Sequence, residues 1–98
     1  MAHDNFIEQQ DGSFALHGEL SFAAVPALVT QSRVWLATGE DSITINMATV
    51  GRADSAGLAL MLEWVKLARQ SGKQIKFINI PDQLNSLIRV SGLSDVFA

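Results

Sequence analysis

Residues 42–70, SITINMATVGRADSAGLALMLEWVKLARQ, decide the fold that the sequence predicts. Positions 42–47 alternate polar and apolar side chains and include β-branched residues, which is typical of a β-strand. From Ser55 to about Gln70, apolar side chains recur at helical spacing and cover well over half of the circumference. A strand that leads through a short loop into such a helix favours the α/β class.

The same criteria predict two strands and a helix before this unit, and a strand and a helix after it. These are Asn5–Gln10, Ser13–His17, a helix from near Phe22 to Gly39, Lys73–Ile80, and a helix from Pro81-Asp82 to about Ser91. Asp11-Gly12 predicts a tight hairpin turn, and Ser21 is the expected cap of the first helix. The prolines mark boundaries, and Pro26 fits only in the first turn of that helix.

The predicted order is therefore β-β-α-β-α-β-α. Strands that alternate with helices imply right-handed parallel crossovers, so we expect a mixed, mostly parallel sheet with helices packed on it. The first strand is expected to be antiparallel to the others.

Composition limits the possible functions. With 98 residues, 48% of them hydrophobic, the chain is expected to form one domain over 1–98. The net charge is −3 and the Lys and Arg residues are scattered, which argues against a nucleic-acid partner. The absence of cysteine excludes disulfides, thiolate metal sites and a Cys nucleophile.

No targeting or membrane segment is visible in the sequence. The start, MAHDNFIEQQDG, lacks the basic and apolar regions of a secretory signal. No apolar run approaches the ~20 residues needed to span a bilayer, so we predict no direct membrane insertion. The expected location is the cytoplasm.

Catalytic and cofactor motifs are not apparent. A Ser hydrolase needs a His that is oriented by an Asp and that activates the Ser. The only histidines of the chain are His3 and His17, and neither is close in sequence to Asp54 and Ser55. Gly51 and Gly57 do not form a phosphate-binding fingerprint, and the acidic residues are too dispersed for a metal site. We therefore predict no catalytic residue, no cofactor and no metal, and expect that the protein is not an enzyme.

The polar start of the long helix is the remaining candidate site. Asp54 and Ser55 are suited to cap the helix, a contribution of about 1 kcal/mol. Capping does not explain Gly57, which costs up to about 1 kcal/mol against Ala, so Gly57 is predicted to let another surface approach closely. A phosphate on Ser55 would bring about two negative charges into an apolar contact, which makes this hydroxyl a possible switch.

The same helix has more apolar surface than one sheet can cover, which is also consistent with a contact to another protein. If the sheet takes the face centred on Met61, Val65 and Ala68, one flank is left near the rim, either Leu60 and Leu67 or Leu58 and Leu62. The alternative is that neighbouring helices cover it. An exposed flank could also form a homodimer in the isolated chain. Trp35 and Trp64 are expected in the core.

SITINMATV followed by GRADSAGLALML resembles the STAS domain family, in which a strand leads into a D-[ST]-x-G-[LI] signature at a helix start. The element order matches that family over essentially the whole chain, so the resemblance implies the STAS fold. It also implies a regulatory domain that binds a partner protein.

Two branches of the family are considered. FALHGELSF, the short length, and the Arg two residues before the signature Asp look like the lipid-asymmetry (MlaB-like) branch. In that branch a single-domain subunit binds the ATPase subunit of a phospholipid ABC transporter and supports its assembly and activity. This favoured hypothesis implies a position peripheral to the inner membrane, through the partner.

The alternative branch is the anti-sigma factor antagonists, in which an anti-sigma kinase phosphorylates the signature Ser. Ser55 would be that residue here, and Ser is the antagonists' usual choice where the lipid branch often has Thr. Asn46 stands where many members have an acidic residue, and no role is assigned to it. The partner-binding residues implied by the resemblance are Val29, Arg52, Asp54, Ser55, Ala56, Gly57 and Leu58.

Overall fold

Six strands and four α-helices make up the part of the chain that the structure describes, residues 5–97 of the computed structural model. In chain order they are β1 (Phe6–Glu8), β2 (Phe14–Leu16), β3 (Gly18–Leu20), a 3₁₀ turn (Phe22–Ala24), α1 (Val25–Gln31), α2 (Arg33–Leu36), β4 (Ser42–Asn46), β5 (Val50–Ala53), α3 (Ser55–Gln70), β6 (Gln74–Ile78) and α4 (Asp82–Val90). His3, considered above as a catalytic group, lies outside the described residues.

The main sheet has four strands in the order β1-β2-β4-β6. β4 is parallel to both β2 and β6, and β1 is antiparallel to β2 at the edge. Phe14, Ile45 and Phe77 lie side by side in this register and are buried. The predicted α/β class and mixed, mostly parallel sheet are confirmed.

The hairpin between β1 and β2 turns at the predicted Asp11-Gly12, but through a longer loop. The Gln9 carbonyl accepts from the Gly12 N–H at 3.0 Å, and the Gln9 N–H donates to the Ser13 carbonyl at 2.7 Å. Gly12 has a φ of 87°, which glycine adopts readily. Asp11 Oδ1 accepts from the Ser13 hydroxyl at 2.6 Å and from the Ser13 N–H at 2.9 Å, and these bonds hold the pKa of Asp11 below its ordinary 3.8.

The first helix differs from the prediction at its start and in its middle. Ser21 does not cap it; the Ser21 hydroxyl donates to Glu19 Oε2 at 2.9 Å, and the chain enters through the 3₁₀ turn. Pro26 lies in the first turn of α1, as predicted. The helix is interrupted at Ser32, whose buried hydroxyl donates to the Val29 carbonyl at 2.7 Å.

Two short strands were not predicted. β3 and β5 pair in parallel as a separate two-stranded sheet, with Gly18 opposite Val50 and Leu20 opposite Ala53. The register shifts between these pairs, as at a β-bulge. Each strand is short and contains Gly, so neither shows the alternation that reveals a strand in sequence.

An aromatic cluster fills the core below α3. Trp64 packs edge to face on Phe6 and Trp35, with ring centroids 5.4 and 6.4 Å away, and stacks on Phe77 at 6.4 Å. Both tryptophans are fully buried, as predicted. Neither indole N–H has a hydrogen-bond acceptor within the described residues, and the two rings stand at 88° to each other.

The predicted helix from Ser55 to Gln70 is confirmed as α3, and of the two alternatives for its flanks the structure shows the covered one. Leu58 and Leu60 are buried, and Leu62 and Leu67 are partly buried, because α3 contacts both α1 and α4. Exposed large apolar side chains lie elsewhere, at Ile7, Phe22, Val29, Val34, Val90 and Val96. In the described part of the chain, no helix has both the length and the apolar character needed to span a membrane.

Candidate partner-binding site at the start of α3

Asp54 caps α3, as the sequence predicts. Its backbone is extended, and its Oδ1 accepts from the N–H groups of Ala56 at 2.9 Å and Gly57 at 3.3 Å. These bonds satisfy donors of the first turn that have no partner within the helix. Oδ2 faces a second element, because it accepts from the Phe22 N–H at 3.3 Å. One carboxylate thus joins the start of α3 to the 3₁₀ turn.

Ser55 is the first residue of α3 and is exposed. It does not share the capping role, since its hydroxyl makes no hydrogen bond to any residue from 5 to 97. An exposed hydroxyl without a structural role can be modified, or contacted by another protein, without loss of a bond in the fold.

The close approach predicted at Gly57 is found, but the approaching surface belongs to the same chain. Gly57 is buried, and a Cβ on it would lie 2.3 Å from the Leu20 carbonyl oxygen and 2.8 Å from Leu20 Cγ. The surface that approaches Gly57 is therefore β3 of the same chain. The Asp54 N–H reinforces this contact by donating to the Leu20 carbonyl at 3.2 Å.

The other predicted site residues are divided between surface and core. Arg52 is exposed on β5, and Val29 is about half-exposed on α1, which contacts α3. Ala56 is partly buried, and Leu58 is only 7% exposed. Leu58 is therefore mainly a core residue, and the surface at the start of α3 consists chiefly of Asp54 and Ser55.

A groove beside Ser55 was missed by the sequence analysis. It has a volume of about 570 Å³, and α4 supplies one wall; its lining residues are Asp54, Ser55, Gln83, Ser86, Leu87 and Val90. Val90 is 83% exposed at one side of it. Phe22, held by Asp54, is 80% exposed. The available signal was weak: Val90 lies out of phase with the apolar stripe of α4, which is formed by Leu84, Leu87 and Ile88.

Among residues 5–97, the groups that a Ser hydrolase would need do not lie together at this site. His17 contacts the Thr49 hydroxyl, 2.9 Å from its Nδ1, and has no hydrogen bond to Asp54 or Ser55. Among residues 5–97, no three His, Asp or Glu side chains are grouped so that they could hold a metal ion.

Comparison with known proteins identifies the fold family. A family model described as "Mlab, STAS domain" matches residues 6–98. The chain belongs to the STAS domain family. The Asp54–Leu58 segment suggested this family, and the match extends over nearly the whole chain.

Curated relatives of this STAS domain include proteins named anti-sigma-B factor antagonists. One from Staphylococcus epidermidis is 28% identical over 96 residues, which cover 98% of this chain and 84% of the relative. One from Staphylococcus aureus (strain NCTC 8325 / PS 47) is 29% identical over 93 residues, which cover 95% of this chain and 82% of the relative. Neither of these two relatives is named as a subunit of a phospholipid transporter.

Proposed function

We propose that this chain is a non-catalytic STAS protein that binds a partner protein and is switched by phosphorylation of Ser55. Its docking face comprises Phe22, Asp54, Ser55, Leu87 and Val90. The observation that carries the proposal is the exposed, unbonded hydroxyl of Ser55 at the first position of α3, on the border of an apolar groove.

The position of Ser55 suits a switch for physical reasons. A phosphoserine carries about −1.5 to −2 charges at neutral pH, and the start of a helix tolerates negative charge. The same charge would be costly to bury against apolar side chains of a partner. Modification would therefore prevent docking and leave the fold intact.

The first partner class is an anti-sigma kinase. It is supported by the relatives named as anti-sigma-B factor antagonists, which align with 95–98% of this chain. In this hypothesis the unmodified protein binds the kinase, and phosphorylation of Ser55 releases it.

The second partner class is the ATPase subunit of a phospholipid ABC transporter. The description of the matching family model, which contains the name Mlab, supports it. The named relatives do not, so it takes second place here. With this partner, the protein would lie at the inner membrane without inserting into it, and no phosphorylation would be required for binding.

Two measurements separate these hypotheses. The purified protein is mixed with the anti-sigma kinase or with the ATPase from the same organism, and binding is measured without nucleotide. Intact mass is then recorded after incubation with the kinase and ATP. For the first partner class we expect binding to the kinase and one added phosphate, which Ser55→Ala removes.

A charge variant tests the docking face itself. Ser55→Glu should weaken binding to the correct partner at least tenfold, whereas Ser94→Glu, at an exposed serine in the C-terminal tail, should not. Unchanged binding of Ser55→Glu to a partner that binds the wild type would show that docking occurs elsewhere. Binding to the ATPase alone, with no phosphate added, would favour the second class.

A further inference from the structure

We infer that Asp54 transmits phosphorylation of Ser55 to the 3₁₀ turn Phe22–Ala24, and that a phosphate on Ser55 releases this turn from the start of α3. The inference rests on the proposed function and adds to it the way in which the site is regulated. Modification would then change two surface elements, of which only one carries the phosphate.

The 3₁₀ turn is held by few contacts. None of its three residues is buried, and Phe22 is 80% exposed. Within the described chain, neither the turn nor α1, which follows it directly, has a side-chain cap from its own N-cap residue. Ser21 stands at the N-cap position of the turn, but its hydroxyl donates to Glu19 Oε2 instead. A segment with so few buried contacts can open without unfolding the rest of the domain.

Asp54 supplies the acceptor that the turn lacks. Its Oδ2 accepts from the Phe22 N–H at 3.3 Å, although the two residues are 32 positions apart in sequence. Among residues 5–97, this N–H has no other acceptor. The other carboxylate oxygen accepts from the N–H groups of Ala56 and Gly57, at the start of α3. One carboxylate therefore holds the first turn of α3 and the entry to α1 together.

A phosphate on Ser55 would act directly on this carboxylate. Ser55 follows Asp54 in the chain, and no Lys or Arg of the described residues pairs with Asp54, so N–H groups alone offset its charge. Neighbouring negative groups repel each other, and the start of α3 favours a phosphate there as it favours Asp54. The Phe22 bond is exposed and, at 3.3 Å, longer than most hydrogen bonds. It is therefore the bond that we expect to break when the carboxylate turns away from the phosphate.

Backbone dynamics of the turn test the inference. Phosphoserine is incorporated at position 55 during synthesis of the full chain, so that the test does not depend on a kinase. Order parameters from ¹⁵N relaxation are then measured for residues 22–24. They should fall from about 0.85, which is typical of rigid backbone, to about 0.6 or less. Phosphoserine at position 94, an exposed serine in the C-terminal tail, is the matched control and should leave them unchanged.

Asp54→Asn separates the two roles of the carboxylate. The Asn side chain keeps an oxygen that can accept from Ala56 and Gly57, but its NH₂ group cannot accept from the Phe22 N–H. The order parameters of residues 22–24 should therefore fall in Asp54→Asn without any phosphate, whereas those of residues 56 and 57 should not. Phosphoserine at position 55 should lower them no further in this variant.

The outcomes distinguish this inference from the proposed function. Unchanged order parameters of residues 22–24 in the phosphorylated chain or in Asp54→Asn would overturn the inference, as would values of about 0.6 already in the unmodified chain. If phosphate at position 55 still prevents binding to the purified partner in that case, the proposed function stands without the inference. A phosphorylated chain with a released turn that binds the kinase and the ATPase as the unmodified chain does would support the inference and overturn the proposed function.

Discussion

At the scale of single residues, Asp54 has more than one structural role. A helix cap needs only the bonds to Ala56 and Gly57, but the second carboxylate oxygen also holds the 3₁₀ turn through Phe22. Replacing Asp54 would therefore disturb both sides of the docking face. Asp54 therefore belongs to the proposed docking face and also positions its two sides.

Gly57 is the residue at which substitution should be most damaging to the fold. In Gly57→Ala the new Cβ would meet the Leu20 carbonyl at 2.3 Å, so β3 or α3 must shift. Overpacking of this kind costs about 1–3 kcal/mol, and we expect a loss within this range in the free energy of unfolding, measured in urea.

Gly39→Ala is the control for this substitution. A Cβ at Gly39 meets nothing within 4 Å, and its φ is not positive. The stability of Gly39→Ala should stay within about 0.5 kcal/mol of the wild type. Equal stabilities of the two variants would mean that β3 does not press on the first turn of α3.

At the scale of elements, the Asp11 turn of the β1–β2 hairpin should be sensitive to pH. The Ser13 bonds lower the pKa of Asp11 in the folded chain, so they favour its charged form. Their stabilising effect is present above the ordinary pKa of 3.8 and is lost as the pH falls through the lower, folded value.

An NMR titration of the Asp11 carboxyl group checks this effect. The midpoint should lie below 3.8 in the wild type and should rise in Ser13→Ala, which removes the side-chain bond. Ser42→Ala, at an exposed serine on β4, should leave the midpoint unchanged. A wild-type midpoint at or above 3.8 would contradict the turn geometry.

Sequence periodicity predicted some elements well and others not at all. α3, α4, β4 and β6 carry regular apolar patterns, and their observed bounds lie within two residues of the predicted ones. β3 and β5 are defined by their pairing across the chain, which their own short, glycine-containing sequences do not reveal. The break at Ser32 depends on a local hydroxyl bond that helical spacing cannot show.

The candidate site was only partly predictable for a similar reason. Asp54 and Ser55 are adjacent in sequence, and both are residue types that favour the N-cap position of a helix. Phe22 and Val90 join them only through tertiary contacts. The close approach at Gly57 was predicted, but the surface that approaches was not, since Leu20 belongs to a strand that the sequence did not reveal.

At the scale of the whole molecule, modification of Ser55 should change the surface but not the fold. The Ser55 side chain is exposed, and its hydroxyl makes no hydrogen bond to a described residue, whereas the aromatic cluster lies further along α3. We expect amide chemical shifts to move on phosphorylation mainly near residues 22, 54–59 and 83–90. Shifts spread through the main sheet would indicate a conformational switch instead.

The paired tryptophans have a practical consequence for such experiments. Trp64 is nine residues beyond Ser55 along α3, roughly 14 Å at the rise of an α-helix, and Trp35 packs against it in the interior. The fluorescence of both tryptophans should thus change when the core unfolds, but it should be insensitive to binding at the groove. The emission of Trp35 and Trp64 should therefore change little when a partner docks. A third tryptophan in the 3₁₀ turn, introduced by Phe22→Trp, would be exposed, and its emission should change on docking.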